Sequence, residues 1–381
     1  MSQKFVSEQK SKNITLVLTH QCNLDCVYCY EHHKNSCTMS AELAKKIVDD
    51  ELSMNDGVSM VEFDFFGGEP LLEFDTVKEV VEYTVKKEYD KDYIFFITTN
   101  GVLLDDERKA WLKAHTDALQ VGLSLDGTKE MHDKNRCCSF DDIDLEFFRT
   151  TYPEESVKMT VSKETLPDLA EGVIFCHDAG FDVSCNLAYG IDWDSKENQD
   201  IFASQLAKLV DYYLENPQIK PCAILDINRI KSLASQEDRS YRLCGAGYAM
   251  RAYDCDGTCY PCQFFLPICV GDEKAKASLS LDFSNFMLAD NQIDEKCKTC
   301  FIRNTCPTCY GNNYATTGNI YRRDMRLCKM NIIQFQAISY FAAKRFVEKC
   351  DDEFDNIFKH SRVEKFDSHH LSIFRIPHIC S

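Results

Sequence analysis

Apolar and polar positions alternate along the first two hundred residues in two rhythms. Short apolar runs read as strands: "ITLVLT" (Ile14 to Thr19), "VEFDFF", "YIFFITT", "LQVGLSL", "VKMTVS" and "FDVSCNLAY". Between them, apolar residues recur every three to four positions, the period of an amphipathic helix. These stretches are "AELAKKIVDDEL", "FDTVKEVVEYTVKKE", "DDERKAWLKAH", "DLEFFRTTY" and "LPDLAEGVIFCHDAG", and a longer helix runs through "ENQDIFASQLAKLVDYYLEN". Strands alternating with helices predict parallel β-α-β units. Six units fall short of a closed eight-unit barrel, so the expected fold is α/β, a partial (β/α)6 TIM-like barrel. Its strand ends line one mouth at the carboxyl side.

The rhythm changes near Pro217. Residues 1–12 read as a polar tail, 13–216 as the barrel and 217–243 as a bridge with one helix, "AILDINRIKSLASQ". Residues 244–330 are rich in Cys and Gly with short elements, as in a region organised by metal. "KMNIIQFQAISYFAAKRFVEKC" closes the chain as a helix, and a polar tail completes 331–381.

A formal net charge of -18 over 381 residues disfavours nucleic-acid binding, which needs concentrated Lys and Arg. No apolar run is long enough to span a bilayer, and the polar N-terminus carries no secretory signal. The expected location is the cytoplasm. There the 21 cysteines point to metal or redox use rather than to disulfides. They cluster: Cys22, Cys26 and Cys29 fall in "CNLDCVYCY", and a second dense group lies between Cys244 and Cys328.

Three thiolates at Cys-x-x-x-Cys-x-x-Cys spacing can hold three irons of a [4Fe-4S] cube, leaving one iron open. A zinc knuckle completed by His32 or His33 is the alternative. The stretch "CNLDCVYCY" resembles the signature of the radical S-adenosylmethionine (radical SAM) superfamily, and its companions follow in order at successive strand ends. Gly67, Gly68 and Glu69 in "FFGGEP" resemble the motif that binds the amino group of SAM. Asn100 in "TTNG" and Ser124 in "SLDG" occupy cofactor-facing positions. Arg136 in "HDKNR" matches an arginine that pairs with the SAM carboxylate, and Tyr28 matches an aromatic beside the adenine. The resemblance covers roughly residues 13 to 190. It implies reductive cleavage of SAM to a 5′-deoxyadenosyl radical that abstracts hydrogen from a substrate carbon.

The second cysteine group resembles the SPASM extension of such enzymes. The family pattern is C-x(9–15)-G-x4-C, then C-x2-C-x5-C-x3-C, then C; here the last pair is Cys-x2-Cys, one residue short at Cys309. The resemblance implies two auxiliary [4Fe-4S] clusters, three in all. Cys297, Cys300, Cys306 and Cys328 would hold the outer one. Cys244, Cys262 and Cys309 would hold the inner one, its fourth position taken by Cys255 or Cys259, or left open for substrate. Two four-cysteine zinc sites are the alternative by spacing alone.

The layout also resembles that of anaerobic sulfatase maturases, which carry a catalytic Asp directly after the Cys of the "YPC" segment. Here Gln263 stands there and cannot accept a proton; Asp254 or Asp256 nearby are substitutes for that base. The expected function is modification of a ribosomally made peptide, by a thioether or other cross-link. Formylglycine formation is the second enzymatic reading, and a non-enzymatic iron–sulfur carrier or zinc-stapled module the third. The expected partners are a peptide or protein substrate and a flavodoxin- or ferredoxin-type electron donor; a leader peptide would need a separate leader-binding protein or would bind the barrel directly.

Overall fold

The computed structural model describes residues 11–230, 244–283, 293–303 and 305–347. The tail after 347 and residues 231–236, the end of the "AILDINRIKSLASQ" stretch, lie outside the described residues.

Six strand–helix units follow one another as the sequence rhythm predicts. They are β1 (Ser11–Thr19) and α1 (Ala41–Ser53), β2 (Met60–Gly67) and α2 (Phe74–Thr84), and β3 (Asp92–Thr99) and α3 (Asp106–Ala114). Then come β4 (Leu119–Leu123) with α4 (Lys129–Asn135) and α5 (Leu145–Thr151), β5 (Val157–Val161) with α6 (Leu169–Asp178), and β6 (Val183–Leu187) with α7 (Lys196–Glu215). Two details differ from the expectation. β1 begins at Ser11, inside the stretch read as a tail. Helix α4, "KEMHDKN", is not among the predicted helices, since its face is polar almost throughout; Thr128 caps it by accepting a bond from Met131 N.

All ladders among β1 to β4 are parallel, in the order β4-β3-β2-β1, and β5 pairs with β6. A parallel bridge from Ser124 to Lys158 carries the curve from β4 to β5. Ile14, Leu16, Val17 and Leu18 are all fully buried, so β1 is covered on both faces, the condition that makes a parallel strand read as a continuous apolar run.

The cysteine-rich part does not stand apart from the barrel. Its strand β7 (Met250–Tyr253) runs parallel to β1, with Asn13 opposite Met250 and Leu16 opposite Tyr253, and turns back as β8 (Cys259–Tyr260). Glu51 of α1, fully buried, fastens the junction: Lys12 Nζ lies 2.5 Å from its Oε2, and Tyr253 OH donates to its Oε1 at 2.6 Å. Arg251 reaches the same Oε1 at 3.2 Å. Beyond the hairpin come α8 (Tyr310–Thr317) and the closing helix α9 (Cys328–Val347). Helix α9 packs along α7 and is tied down by Gln334 to Ile224 O at 2.8 Å and Arg345 to Pro217 O at 3.1 Å.

Candidate active site

The carboxyl ends of β1 to β4 open into a cavity of about 400 Å³. Cys22, Cys26, Cys29, Tyr28, Gly67, Gly68, Glu69, Asn100, Ser124 and Arg136 all line it. Residues spread over more than a hundred positions thus meet at one mouth, because most follow the end of a parallel strand, while Arg136 is delivered by the end of α4.

The loop carrying the three cysteines is gripped from two sides. On one side, Gly67 adopts φ +140, and a Cβ there would lie 2.1 Å from Thr19 O; on Gly68 it would lie 2.2 Å from Gln21 O. The glycines therefore let β2 close on the backbone that launches the cysteine loop, where Gly68 N and Glu69 N donate to Thr19 O and Gln21 O. On the other side, the end of α4 holds the loop through Val27 N to Asn135 O at 3.0 Å. The Cys137 thiol takes Asp25 N at 3.3 Å and gives to Asp25 O at 3.2 Å. Cys137 and Cys138 both sit at positive φ, 56° and 57°, a strained pair for side chains with a Cβ. Their adjacency, unexplained in the sequence, thus belongs to a backbone turn that delivers Cys137 to the loop.

Charges inside the cavity are paired in a way the motifs did not indicate. Arg136 donates from Nε to Asp126 Oδ2 at 2.9 Å, and Tyr28 OH donates to the same oxygen at 2.6 Å. Asp126 also accepts from Asn135 and from Thr160 N. The Arg136 guanidinium stands 5.4 Å from the centre of the Tyr28 ring. Asp126 is the fully buried hub of this network; only its place in "SLDG" marked it. Glu69 is buried too, accepting from Leu71 N, Thr99 Oγ1 and Asn100 N at 2.8–3.0 Å, and burial raises its pKa despite those bonds. Glu31, a wall residue absent from the sequence reading, is pushed up to about 7 by burial, with Lys34 and His20 opposing.

A second cavity, of about 320 Å³, is lined by Cys297, Cys300, Cys306, Cys309 and Cys328. Cys262 lies within electrostatic reach of Cys309 and Cys244, so the inner trio is brought together. Cys255 and Cys259 are not part of it. The β7–β8 turn carries Cys255 to the side of Cys37 and Asp254, and Cys259 to Tyr253 and Arg251. None of the three catalytic candidates, Asp254, Asp256 and Gln263, lines either cavity. Asp254 Oδ1 is held by His20 Nε2 at 2.6 Å. Asp256 is exposed and caps the turn through Thr258 N. Gln263 buries its Oε1 without a partner.

The two cavities share a wall formed by Asn186, Leu187 and Tyr189 at the end of β6. Tyr189 packs edge-on against Phe264, which stacks on Tyr30 with ring centres 4.3 Å apart.

The cysteine groups are more widely spread than the donors of a single ion. Four thiolates around one zinc at about 2.3 Å sit roughly 3.8 Å from one another. Among the described residues, no three sulfurs of any of these cysteine groups fall within 4.8 Å of one another. Burial raises the pKa of Cys22 and Cys29 and pushes Cys26 up to about 12, against the pull of Arg136. Such thiols ligate as thiolates only when a bound cation displaces their protons.

Residues 16–202 match the Radical SAM superfamily. Those residues form a radical SAM domain. As a radical SAM enzyme the chain uses SAM and a [4Fe-4S] cluster. It is 25% identical to the cysteine-type anaerobic sulfatase-maturating enzyme of Clostridium perfringens strain 13, over 73% of this chain and 83% of that protein. It is 32% identical to the uncharacterized protein MJ0907 of Methanocaldococcus jannaschii over 30% of this chain; that match spans only 39% of the relative's length. Native anSMEcpe with bound AdoMet and Cp18Cys peptide shares its fold, with a TM-score of 0.67 and 19% identity over 89% of this chain and 99% of that one. So does Streptococcus suis SuiB bound to precursor peptide SuiA, with a TM-score of 0.56 and 17% identity over 83% and 75%.

Proposed function

We propose that this radical SAM enzyme installs a thioether or other cross-link in a ribosomally made peptide. The observation that carries the reading is the shared wall of Asn186, Leu187 and Tyr189: a peptide side chain lying against it touches the Cys22/Cys26/Cys29 cavity and the auxiliary-cysteine cavity at once. The likeness to SuiB, bound to its precursor peptide, supports the same reading.

When bound, SAM and its cluster supply a 5′-deoxyadenosyl radical, the hard chemistry that side chains cannot. The protein supplies position. Cys22, Cys26 and Cys29 hold the cluster. Glu69 would hold the SAM amino group, Asn100 and Ser124 would face the cofactor, Tyr28 would lie by the adenine and Arg136 would pair with the carboxylate. Asp126 fixes Tyr28 and Arg136 before SAM arrives, so little ordering remains to be done on binding. Cys297, Cys300, Cys306 and Cys328 hold an outer auxiliary cluster, and Cys244, Cys262 and Cys309 an inner one. A flavodoxin- or ferredoxin-type protein delivers the electron. Formylglycine formation is the second reading, favoured by the match to the sulfatase-maturating enzyme. Gln263 weighs against it.

Anaerobic incubation with SAM, reductant and a candidate peptide tests this. A cross-link removes two hydrogens from the peptide mass, whereas formylglycine from Cys also removes sulfur. SAM cleavage that leaves every peptide offered unchanged, and converts a sulfatase-type Cys peptide instead, overturns the cross-linking assignment.

A further inference from the structure

Outside both cavities, one further group of ligating side chains draws together. Among the described residues, His20, Asp254 and Cys255 alone place three metal-type ligand atoms within 4.8 Å of one another. All three residues are at least nine-tenths buried. The Cys37 thiol hydrogen-bonds with Cys255 beside them, and Cys37 O accepts from His20 N at 3.0 Å. We propose that His20, Asp254, Cys255 and Cys37 form a binding site for one zinc ion, separate from the iron–sulfur cysteines.

The donor set is one imidazole, one carboxylate and two thiols, a borderline-soft mixture that suits tetrahedral zinc. Compactness separates this group from the others. The ligand atoms of His20, Asp254 and Cys255 converge as those of a single ion must, with Cys37 bonded to Cys255 as the fourth, while among the described residues no three sulfurs of the other cysteine groups come that close. His20 Nε2 and Asp254 Oδ1 are 2.6 Å apart. An ion between them widens that gap to roughly 3.3 Å, the edge of a tetrahedron with bonds of about 2.0–2.1 Å. Side-chain torsions at the strand end supply a movement of this size. The ligands come from three places: His20 from the end of β1, Cys37 from the segment before α1, and Asp254 with Cys255 from the turn after β7. Zinc here staples the cysteine-rich part to the barrel two residues ahead of Cys22. It also accounts for Cys255, which the chain spacing placed with the inner trio and the fold places elsewhere.

The test uses holoenzyme purified anaerobically with its iron loaded, and zinc as the probe. Metal analysis of the wild type is expected to give about one zinc per chain. Zinc-edge absorption is expected to give a first shell of two sulfurs at about 2.3 Å and two lighter ligands at about 2.0–2.1 Å. Cys255→Ala and Asp254→Asn are each expected to remove the zinc and leave the iron content unchanged. Asp254→Asn keeps the side-chain volume, so it decides should Cys255→Ala fold poorly. Zinc far below one per chain, an all-sulfur shell, or zinc retained in both variants overturns the proposal. None of these readouts depends on the substrate, so the site and the cross-linking function fail independently.

Discussion

Asp126 carries more of the candidate site than any residue the motifs singled out. Removing its carboxylate leaves Arg136 buried without its partner, a loss that typically costs about 3–5 kcal/mol. Asp126→Ala is therefore expected to lower unfolding free energy by that order and to weaken SAM binding, read by denaturant titration and by equilibrium dialysis. Cys138 offers the opposite case. Its φ of 57° is one that glycine adopts without strain. Cys138→Gly should raise stability by roughly 0.5–1 kcal/mol, whereas Cys137→Ala, which loses both bonds to Asp25, should lower the retention of the first cluster. Iron analysis after gel filtration separates the two. At this scale the sequence was half legible. Cysteines and glycines announce themselves by spacing, but a lone Asp in a turn looks like any turn Asp until Arg136 and Tyr28 fold onto it. Cys255 shows the reverse: its position between Cys244 and Cys262 suggested a shared cluster, and a two-stranded turn sends it to the other side.

Among the elements, the six strand–helix units were legible because burial on both faces of a parallel sheet forces continuous apolar runs. The β7 strand was not, since "MRAY" is too short for any periodicity and its partner lies more than two hundred residues away. The contact between β1 and β2 is equally sharp in its demands. Gly67→Ala places a methyl 2.1 Å from Thr19 O, so the strand end must shift and the cysteine loop with it. Three four-iron clusters correspond to about twelve irons per chain, and Gly67→Ala or the Cys22/Cys26/Cys29→Ala variant is expected to retain about eight. Wild-type iron near four, with zinc in the C-terminal cysteines, would remove the auxiliary clusters from the assignment.

For the molecule as a whole, stability should depend on acid through Glu51. Burial pushes its pKa up, but the bonds from Lys12 and Tyr253 outweigh that and hold it below the ordinary carboxylate value. A folded-state pKa that is depressed adds stability above the unfolded value, near 4.3, and that stability is lost as pH falls through the folded one. Denaturant midpoints should therefore be level from pH 7 to about 5 and fall below about pH 4.3. Glu51→Gln should be less stable at pH 7, with a shallower fall in acid; an unchanged fall would show that other carboxylates govern it.

The pairing of β1 with β7 also sets a timetable for the ribosome. The strand made first has one edge bare until Tyr253 emerges to face Leu16. At about 5–20 residues per second that delay is roughly ten to fifty seconds. Through that interval the nascent chain displays an unpaired apolar strand, the kind of edge that recruits other chains. Translation of this protein thus leaves a window in which that edge stays open until β7 arrives to close it.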